Sequence, residues 1–379
     1  MHKALSPLLY FRRNPGRTVP MMIVIMLAVT AVASVVTIVH SIDLTIFTLY
    51  GSNRYMTGLT PRNALTIDDD VVLKVRHLPE VGELCQTHSY STMVKTIFGK
   101  MPFPIFGLDA RGRELLMQRA GVHLVVGRMV VDGQPEAVLS EDVAKNLGLK
   151  IGDIVSEPDS TDSYAPVRIR LVGLLRGHVW MGLTNRALAD AYSPFTYHGY
   201  MAFGKTPAEI DQRRLDNAIE KVLDKGKARE WRYSGLIKET RSSLSNLYLI
   251  MDIVVGIIVF AISFVCGLLS NIYFTQRLPE IAMLSAIGFT RRRLLSRAVA
   301  ETGLLCFIGW TLGGIFTVGI LTLLKQLVLT PKGLLLQAVD PAAFALTLPL
   351  PLAITLFAFA TIAVRLASLD PVSIIERRG

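Results

Sequence analysis

Four long apolar runs constrain what this chain can fold into more than any other feature. Residues 19–42 carry no charge. Residues 247–274 carry one acid, Asp252, and 298–324 one acid, Glu301, each near the start of its run. Residues 341–364 carry none. Each run exceeds the roughly 20 residues a helix needs to cross a hydrocarbon layer of about 30 Å. The runs also explain a mean hydropathy of +0.43, too high for an ordinary soluble enzyme. The sequence predicts a membrane α-helical protein with four transmembrane helices. "AVA" at Ala31–Ala33 mimics a signal-peptide cleavage site, but the apolar run continues to Ile42, so an uncleaved signal-anchor is the better reading.

Basic residues in short flanks set the orientation. Lys3, Arg12, Arg13 and Arg17 precede the first run. Arg277, Arg291, Arg292, Arg293 and Arg297 lie between the second and third, and Arg365, Arg377 and Arg378 follow the fourth. Only Lys325 and Lys332 lie between the third and fourth. This bias predicts a cytoplasmic flank at 1–18, a cytoplasmic elbow at 275–297, a short extracytoplasmic loop at 325–340 and a cytoplasmic tail at 365–379. Residues 43–246 then lie outside the cytoplasm. They hold 26 Lys/Arg and 24 Asp/Glu, so the net charge of +10 sits almost entirely at the cytoplasmic membrane surface. There it faces anionic lipid, which argues against a nucleic-acid partner.

Residues 43–246 are too many for a structureless loop and predict an inserted α+β extracytoplasmic domain, plausibly of two subdomains. "DDDVVLKVRHLP" reads as a short helix starting at Asp68–Asp70. In "AVLSEDVAKNLGL", Ser140 fits an N-cap and Gly148 the residue just past the helix end. "VRIRLVGLL" alternates as a half-exposed strand does. From about Gly235 a polar helical stretch reads as a stalk continuing the second span. No catalytic constellation is evident. His77, His88, His123, His178 and His198 never fall at HxH or HxxxH spacing. The three cysteines, Cys85, Cys266 and Cys306, offer neither a CxxC pair nor a disulfide framework. No metal site is expected.

One motif points elsewhere. "GYMAFGKT", Gly199–Thr206, fits G-x-x-x-x-G-K-[ST], the phosphate loop of nucleotide hydrolases. Its four central residues look like a strand, however, and Thr206-Pro207-Ala208-Glu209 reads as a capping box opening a helix. No strand ending in an acid follows to hold magnesium. The segment is also expected on the side of the membrane where ATP is scarce. The motif is read as a decoy.

The informative stretch is Thr275–Leu305, "TQRLPEIAMLSAIGFTRRRLLSRAVAETGLL". It leaves the second span as a short amphipathic helix, turns at Gly288 and re-enters the membrane through a basic cluster. On physical grounds such a helix either lies on lipid or docks a cytoplasmic partner. Its segment "EIAMLSAIG", Glu280–Gly288, resembles the elbow motif E-[IL]-G-[IL]-[LM]-[RK]-A-[LIM]-G of the FtsX/MacB-like ABC permeases. Ala282, Ser285 and the pair Leu278-Pro279 depart from that pattern. The tail "RLASLDPVSIIERR", with Asp370 and Pro371, resembles the family's closing segment. The stretch Gly127–Asp153 is similar to its extracytoplasmic domain, and the order of one span, a large ectodomain and three spans matches as well.

The resemblance implies a permease without its own nucleotide site. A separate cytoplasmic ATPase, itself binding ATP and magnesium, would dock on the coupling helix through Arg277, Glu280, Ile281, Leu284, Ser285 and Gly288. Asp370 and Pro371 would lie near it. Two permeases and two ATPases would then carry motion to the ectodomain, exporting or extracting a substrate, with a periplasmic adaptor or another extracellular protein as a further partner. The alternative is an FtsX-like regulator that switches a cell-wall enzyme without transport. Both place the chain in the bacterial cytoplasmic membrane. Gly309 and Gly313 form a GxxxG whose close packing is open to a dimer, an intrachain or a lipid-facing reading. Glu301 reads as paired with Arg297 rather than as a proton site, and Pro349 and Pro351 predict a kink in the fourth span.

Overall fold

A computed structural model describes residues 15–192 and 198–367. In chain order the elements are α1 (Pro15–Leu49), β1 (Thr57–Pro61), α2 (Asp69–Arg76), β2 (Val81–Thr96), β3 (Gly99–Leu108), α3 (Ala110–Ala120), β4 (His123–Gly127), β5 (Glu136–Ser140), α4 (Glu141–Leu147), β6 (Ile154–Ser156), β7 (Ser163–Tyr164), β8 (Ile169–Arg176), β9 (Gly182–Asn185), α5 (Ala187–Tyr192), β10 (Gly199–Gly204), α6 (Glu209–Val222), β11 (Ala228–Trp231), α7 (Tyr233–Ser243), α8 (Ser245–Ala286), α9 (Arg291–Leu324), α10 (Pro341–Leu346) and α11 (Pro349–Ala367). They divide into two compact units. One comprises residues 1–40, 246–325 and 337–379, the other residues 41–245 and 326–336.

The first unit is helical. Four segments are long and apolar enough to cross a membrane: Thr18–Leu49, Ser245–Leu269, Arg292–Lys332 and Pro341–Val364. Its core forms around α1, where Ile25, Val29 and Val32 pack against Leu305, Cys306, Leu350 and Ile354. The i, i+4, i+7 spacing of those α1 residues puts them on one helix face. Gly309 and Gly313 lie against that face. A β-carbon on Gly309 would come within 2.9 Å of Ile25, and one on Gly313 within 2.9 Å of both the Met26 carbonyl oxygen and Val29. The GxxxG therefore serves a contact within the chain. Glu301 is buried and accepts from Arg297 at 3.2 Å, as the i, i+4 spacing predicts. The fourth span is broken rather than kinked: α10 stops at Leu346 and α11 restarts with Pro349. Thr347 in the break accepts a hydrogen bond from the Trp310 indole at 2.8 Å. Asp340 caps α10 by accepting from the Ala342 and Ala343 amides, and its other oxygen lies 2.5 Å from His40 Nδ1.

The second unit is α+β. Its strands run in the order β11-β1-β10-β2-β3-β9-β5-β8-β4, with β6 on β8 and β7 on β2. β2 is long enough to serve two lobes. Its first half pairs β10 and its second half pairs β3. On one side, β1-α2-β2 and β10-α6-β11 interleave as two split β-α-β units with antiparallel neighbours. Leu59, Ala202 and Ala228 face α2 and α6, meeting Val71, Val75, Leu215 and Ile219. On the other side, β5 pairs β8 in parallel and β9 antiparallel, over a core that includes Phe103, Ile105, Leu139, Leu171 and Trp180.

Several local expectations are corrected here. Ser140 occupies the N-cap of α4, but its hydroxyl does not cap. It is drawn into the sheet, accepting from the Met181 amide at 2.8 Å and reaching the Met181 carbonyl at 3.2 Å. Gly148 does end α4 in the left-handed region, at φ 74°. The capping box at Thr206 is not formed, because α6 begins only at Glu209. Thr206 Oγ1 donates to Asp211 at 2.5 Å and accepts from the Ala208 amide instead. The polar stalk is a separate helix, α7, interrupted at Leu244 before α8.

The stretch 325–340 is not a simple loop either. Residues 326–336 belong to the sheet-bearing unit. Leu335 packs on its core, and Asn146 on α4 donates to the Gly333 carbonyl at 3.3 Å.

Asp216 on α6 is a buried acid. The Thr57 hydroxyl and the Gln212 amide donate to it. Burial raises its pKa above 3.8 despite those bonds. The folded state therefore holds this proton to higher pH than the unfolded chain does, so its contribution weakens as pH rises through the raised value. Asp216→Asn is expected to raise the melting temperature of the full chain near neutral pH, with the difference from wild type vanishing in acid. Thermal unfolding of both proteins across that pH range checks it.

Candidate functional site: the elbow between the second and third spans

The elbow is a helical hairpin. α8 does not stop at the membrane surface and restart as a short helix; it runs without interruption from Ser245 to Ala286, through Leu278-Pro279. The separate coupling helix expected from the sequence is thus the end of α8. Gly288 ends it at φ 99°, a conformation that side chains disfavour. The Ile287 amide donates to the Met283 carbonyl and the Phe289 amide to the Leu284 carbonyl, both at 3.1 Å. This wraps the last carbonyls of α8, as Schellman-type ends do. Thr290 then precedes α9 in an extended conformation.

A small apolar cluster fixes the hairpin. Leu284, Phe289 and Leu295 pack on Leu294 and Ala298 of α9 and on Ala358 and Ile362 of α11. The elbow is therefore fastened to α11 of the fourth span as well as to its own two arms. Leu284, one of the residues expected to dock a partner, is half-buried in this cluster, and Gly288 is exposed at the turn. The side chains of Arg277, Glu280, Ile281 and Ser285 lie outside the described residues, as do Asp370 and Pro371. Gly309 and Gly313 are elsewhere, at the α1–α9 contact.

What the structure brings to the tip of the elbow was not singled out from sequence. Met283 is 55% exposed and Ile287 75% exposed, one helical turn apart. Arg292 and Arg293 are exposed just past the turn. Helical spacing puts position 280 on the same face as Met283 and Ile287. An exposed apolar pair beside cations can meet either lipid or a protein partner. The i, i+4 spacing of Met283 and Ile287 was readable, but Ile281 and Leu284 form an equally good stripe. Only packing tells which stripe turns inward.

The phosphate-loop motif has no such geometry. Gly199–Gly204 is the strand β10, paired with β1 on one edge and β2 on the other. Met201, Ala202 and Phe203 are fully buried. The Gly204 amide donates to the Gln212 side chain at 2.9 Å. The backbone of this segment is thus taken up by the neighbouring strands and by Gln212.

No curated protein matches the chain. Among solved structures, the second unit is similar to the periplasmic region of MacB from Actinobacillus actinomycetemcomitans, at 10% identity and TM-score 0.29, over 52% of this chain and 98% of that one. It is similar also to the extracellular domain of the noncanonic ABC-type transporter YknZ from Gram-positive bacteria, at 13% identity and TM-score 0.28, over 47% of this chain and 100% of that one. The family described as FtsX-like permease C-terminal matches residues 253–371, which cover most of the second span, the elbow and the third and fourth spans. The C-terminal membrane part of this chain is thus similar to the C-terminal domain of FtsX-like permeases.

Proposed function

We propose that this chain is the permease subunit of an ABC-type system and that a separate cytoplasmic ATPase docks on the elbow at Met283, Ile287 and Glu280. Two ATPases act on two permeases, and closure of the ATPase pair on ATP favours one arrangement of the elbows over another. The motion is passed to the ectodomain, which exports or extracts a substrate at the bacterial cytoplasmic membrane. Both termini face the cytoplasm in this reading. The observation that carries it is the FtsX-like match over residues 253–371 together with the exposed apolar tip at Met283 and Ile287. The burial of Gly199–Gly204 within a sheet supports a nucleotide site outside this chain.

Ile287→Asp and Glu280→Lys, purified with the cognate ATPase, test the reading. Each is expected to lower both ATPase retention and coupled transport by about tenfold or more, the range expected for residues at the centre of an interface. The permease alone should not turn over ATP. Hydrolysis by the permease alone, or elbow variants with unchanged assembly and transport, would sink the proposal. Coupling that depends on the elbow and moves no substrate would instead select the regulator of a cell-wall enzyme.

A further inference from the structure

A cationic cleft of about 610 Å³ lies in the second unit between α6, α7 and the turn Gly51–Arg54. Two helix faces build it. Glu209, Arg213 and Asp216 recur at i, i+4 and i+7 on α6, and Ile237, Lys238 and Arg241 lie on one side of α7. Arg54 enters from the turn. Its guanidinium stacks 4.8 Å from the centre of the Tyr233 ring and donates to the Tyr233 hydroxyl at 2.8 Å.

The charges in this cleft do not cancel. Arg213 is paired with Glu209 at 2.8 Å, and Arg241 with Asp43 at 3.1 Å. Among the described residues Arg54 and Lys238 have no carboxylate partner. The Arg54 Nε atom is buried and has no hydrogen-bond acceptor. Asp216, the remaining acid, is already engaged by Thr57 and Gln212, and burial favours its neutral form. A buried guanidinium nitrogen without an acceptor, beside an unpaired lysine, calls for an anion with several acceptor oxygens.

The position of the cleft along the chain says where that anion comes from. Arg241 lies four residues before Ser245, the first residue of the apolar helix α8. Arg54 lies five residues after Leu49, the last of α1. The Arg241 partner, Asp43, is the first charge after the uncharged run 19–42. Arg241 also stacks over Phe47, 5.2 Å from the ring centre, and Ile237 adds an apolar side chain to the lining. Cations with apolar neighbours at the ends of membrane-crossing helices meet lipid headgroups.

We propose that this cleft binds the phosphate headgroup of an anionic phospholipid, with Arg54 and Lys238 as its direct ligands. The site stands on the cleft alone, and ATPase activity is not its readout.

The test uses the full-length protein, extracted in detergent with excess phosphatidylglycerol and analysed by native mass spectrometry. Wild type is expected to retain the lipid. Lys238→Glu is expected to reduce retention by about tenfold, the loss of one charge-assisted contact, and Arg54→Gln to do the same. Lys150→Glu, an exposed change elsewhere on the unit, should leave retention as in wild type. Lys238 is exposed, so its variant carries the test even where Arg54→Gln lowers the melting temperature. Unchanged retention in Lys238→Glu overturns the proposal. An equal loss in Lys150→Glu also overturns it, by reducing the effect to general charge. Displacement of the lipid by glycerol phosphate at equal concentration would make this a soluble-anion site and overturn the lipid assignment.

Discussion

Gly313→Val is expected to destabilise the membrane unit by about 1–3 kcal/mol, the cost of inserting methyl groups into a packed contact. The first added carbon would already stand 2.9 Å from both the Met26 carbonyl oxygen and Val29 Cβ on α1. The carbonyl belongs to a helix backbone and cannot rotate away. The α1–α9 contact must open, and the Thr30 hydroxyl, which donates to the Met26 carbonyl at 2.9 Å and reaches the Gly313 carbonyl at 3.4 Å, loses its setting. Gly319→Val is the control. It lies in the same helix with nothing within 4 Å of its added carbon, so only the small difference in helix propensity applies. Thermal unfolding of the two variants in detergent should separate them by several degrees, and equal melting temperatures would refute this account of the contact.

Asn146→Ala should cost the sheet-bearing unit about 2–4 kcal/mol, since it strands more than one buried polar group at about 1–3 kcal/mol each. Asn146 is 3% exposed. Its side-chain oxygen accepts from the Lys95 amide at 2.7 Å, and its nitrogen donates to the Lys95 carbonyl at 2.8 Å and the Gly333 carbonyl at 3.3 Å. One amide thus ties α4 to β2 and to the segment 326–336. Gly333 approaches so closely, at φ 59°, that a β-carbon there would sit 2.4 Å from the Asp142 carbonyl oxygen. The expected result is a lower melting temperature and faster hydrogen exchange in residues 326–336 and at Lys95. Unchanged exchange in both would show that the amide does not hold them together.

The contrast between these two sites shows what could be read in advance. The membrane helices were legible because the bilayer imposes a length and a composition on any segment that crosses it. The pair Gly309/Gly313 was legible as a close contact, since only small residues permit one. Its partner was not, because a helix face carries no record of which helix it meets. Asn146 gave no signal at all. An asparagine in a short polar helix looks like any exposed one until β2 and residues 326–336 arrive on either side of it.

The elbow divides in the same way. Gly288, the basic cluster and the spacing of Glu280–Gly288 were visible as a helix end and a turn. The direction of its apolar residues was decided by the cluster on α11, which takes Leu284 and leaves Met283 and Ile287 outside. The phosphate-loop pattern met its outcome for a related reason. Its glycines and lysine satisfy a spacing rule, but backbone can serve either a phosphate or a sheet; here Gly199–Phe203 is paired with β1 and β2, and Gln212 takes the Gly204 amide.

By itself, then, the sequence determined the four apolar helices, the presence of an inserted α+β domain and the glycine-terminated elbow, because each follows from local composition or short-range spacing. The tertiary structure alone decided the two sheet lobes sharing β2, the capture of residues 326–336 by Asn146, and the gathering of Arg54, Lys238 and Arg241 around one cleft. Those groups are separated by up to nearly two hundred positions along the chain, and only burial of the intervening apolar faces brings them within reach of one another.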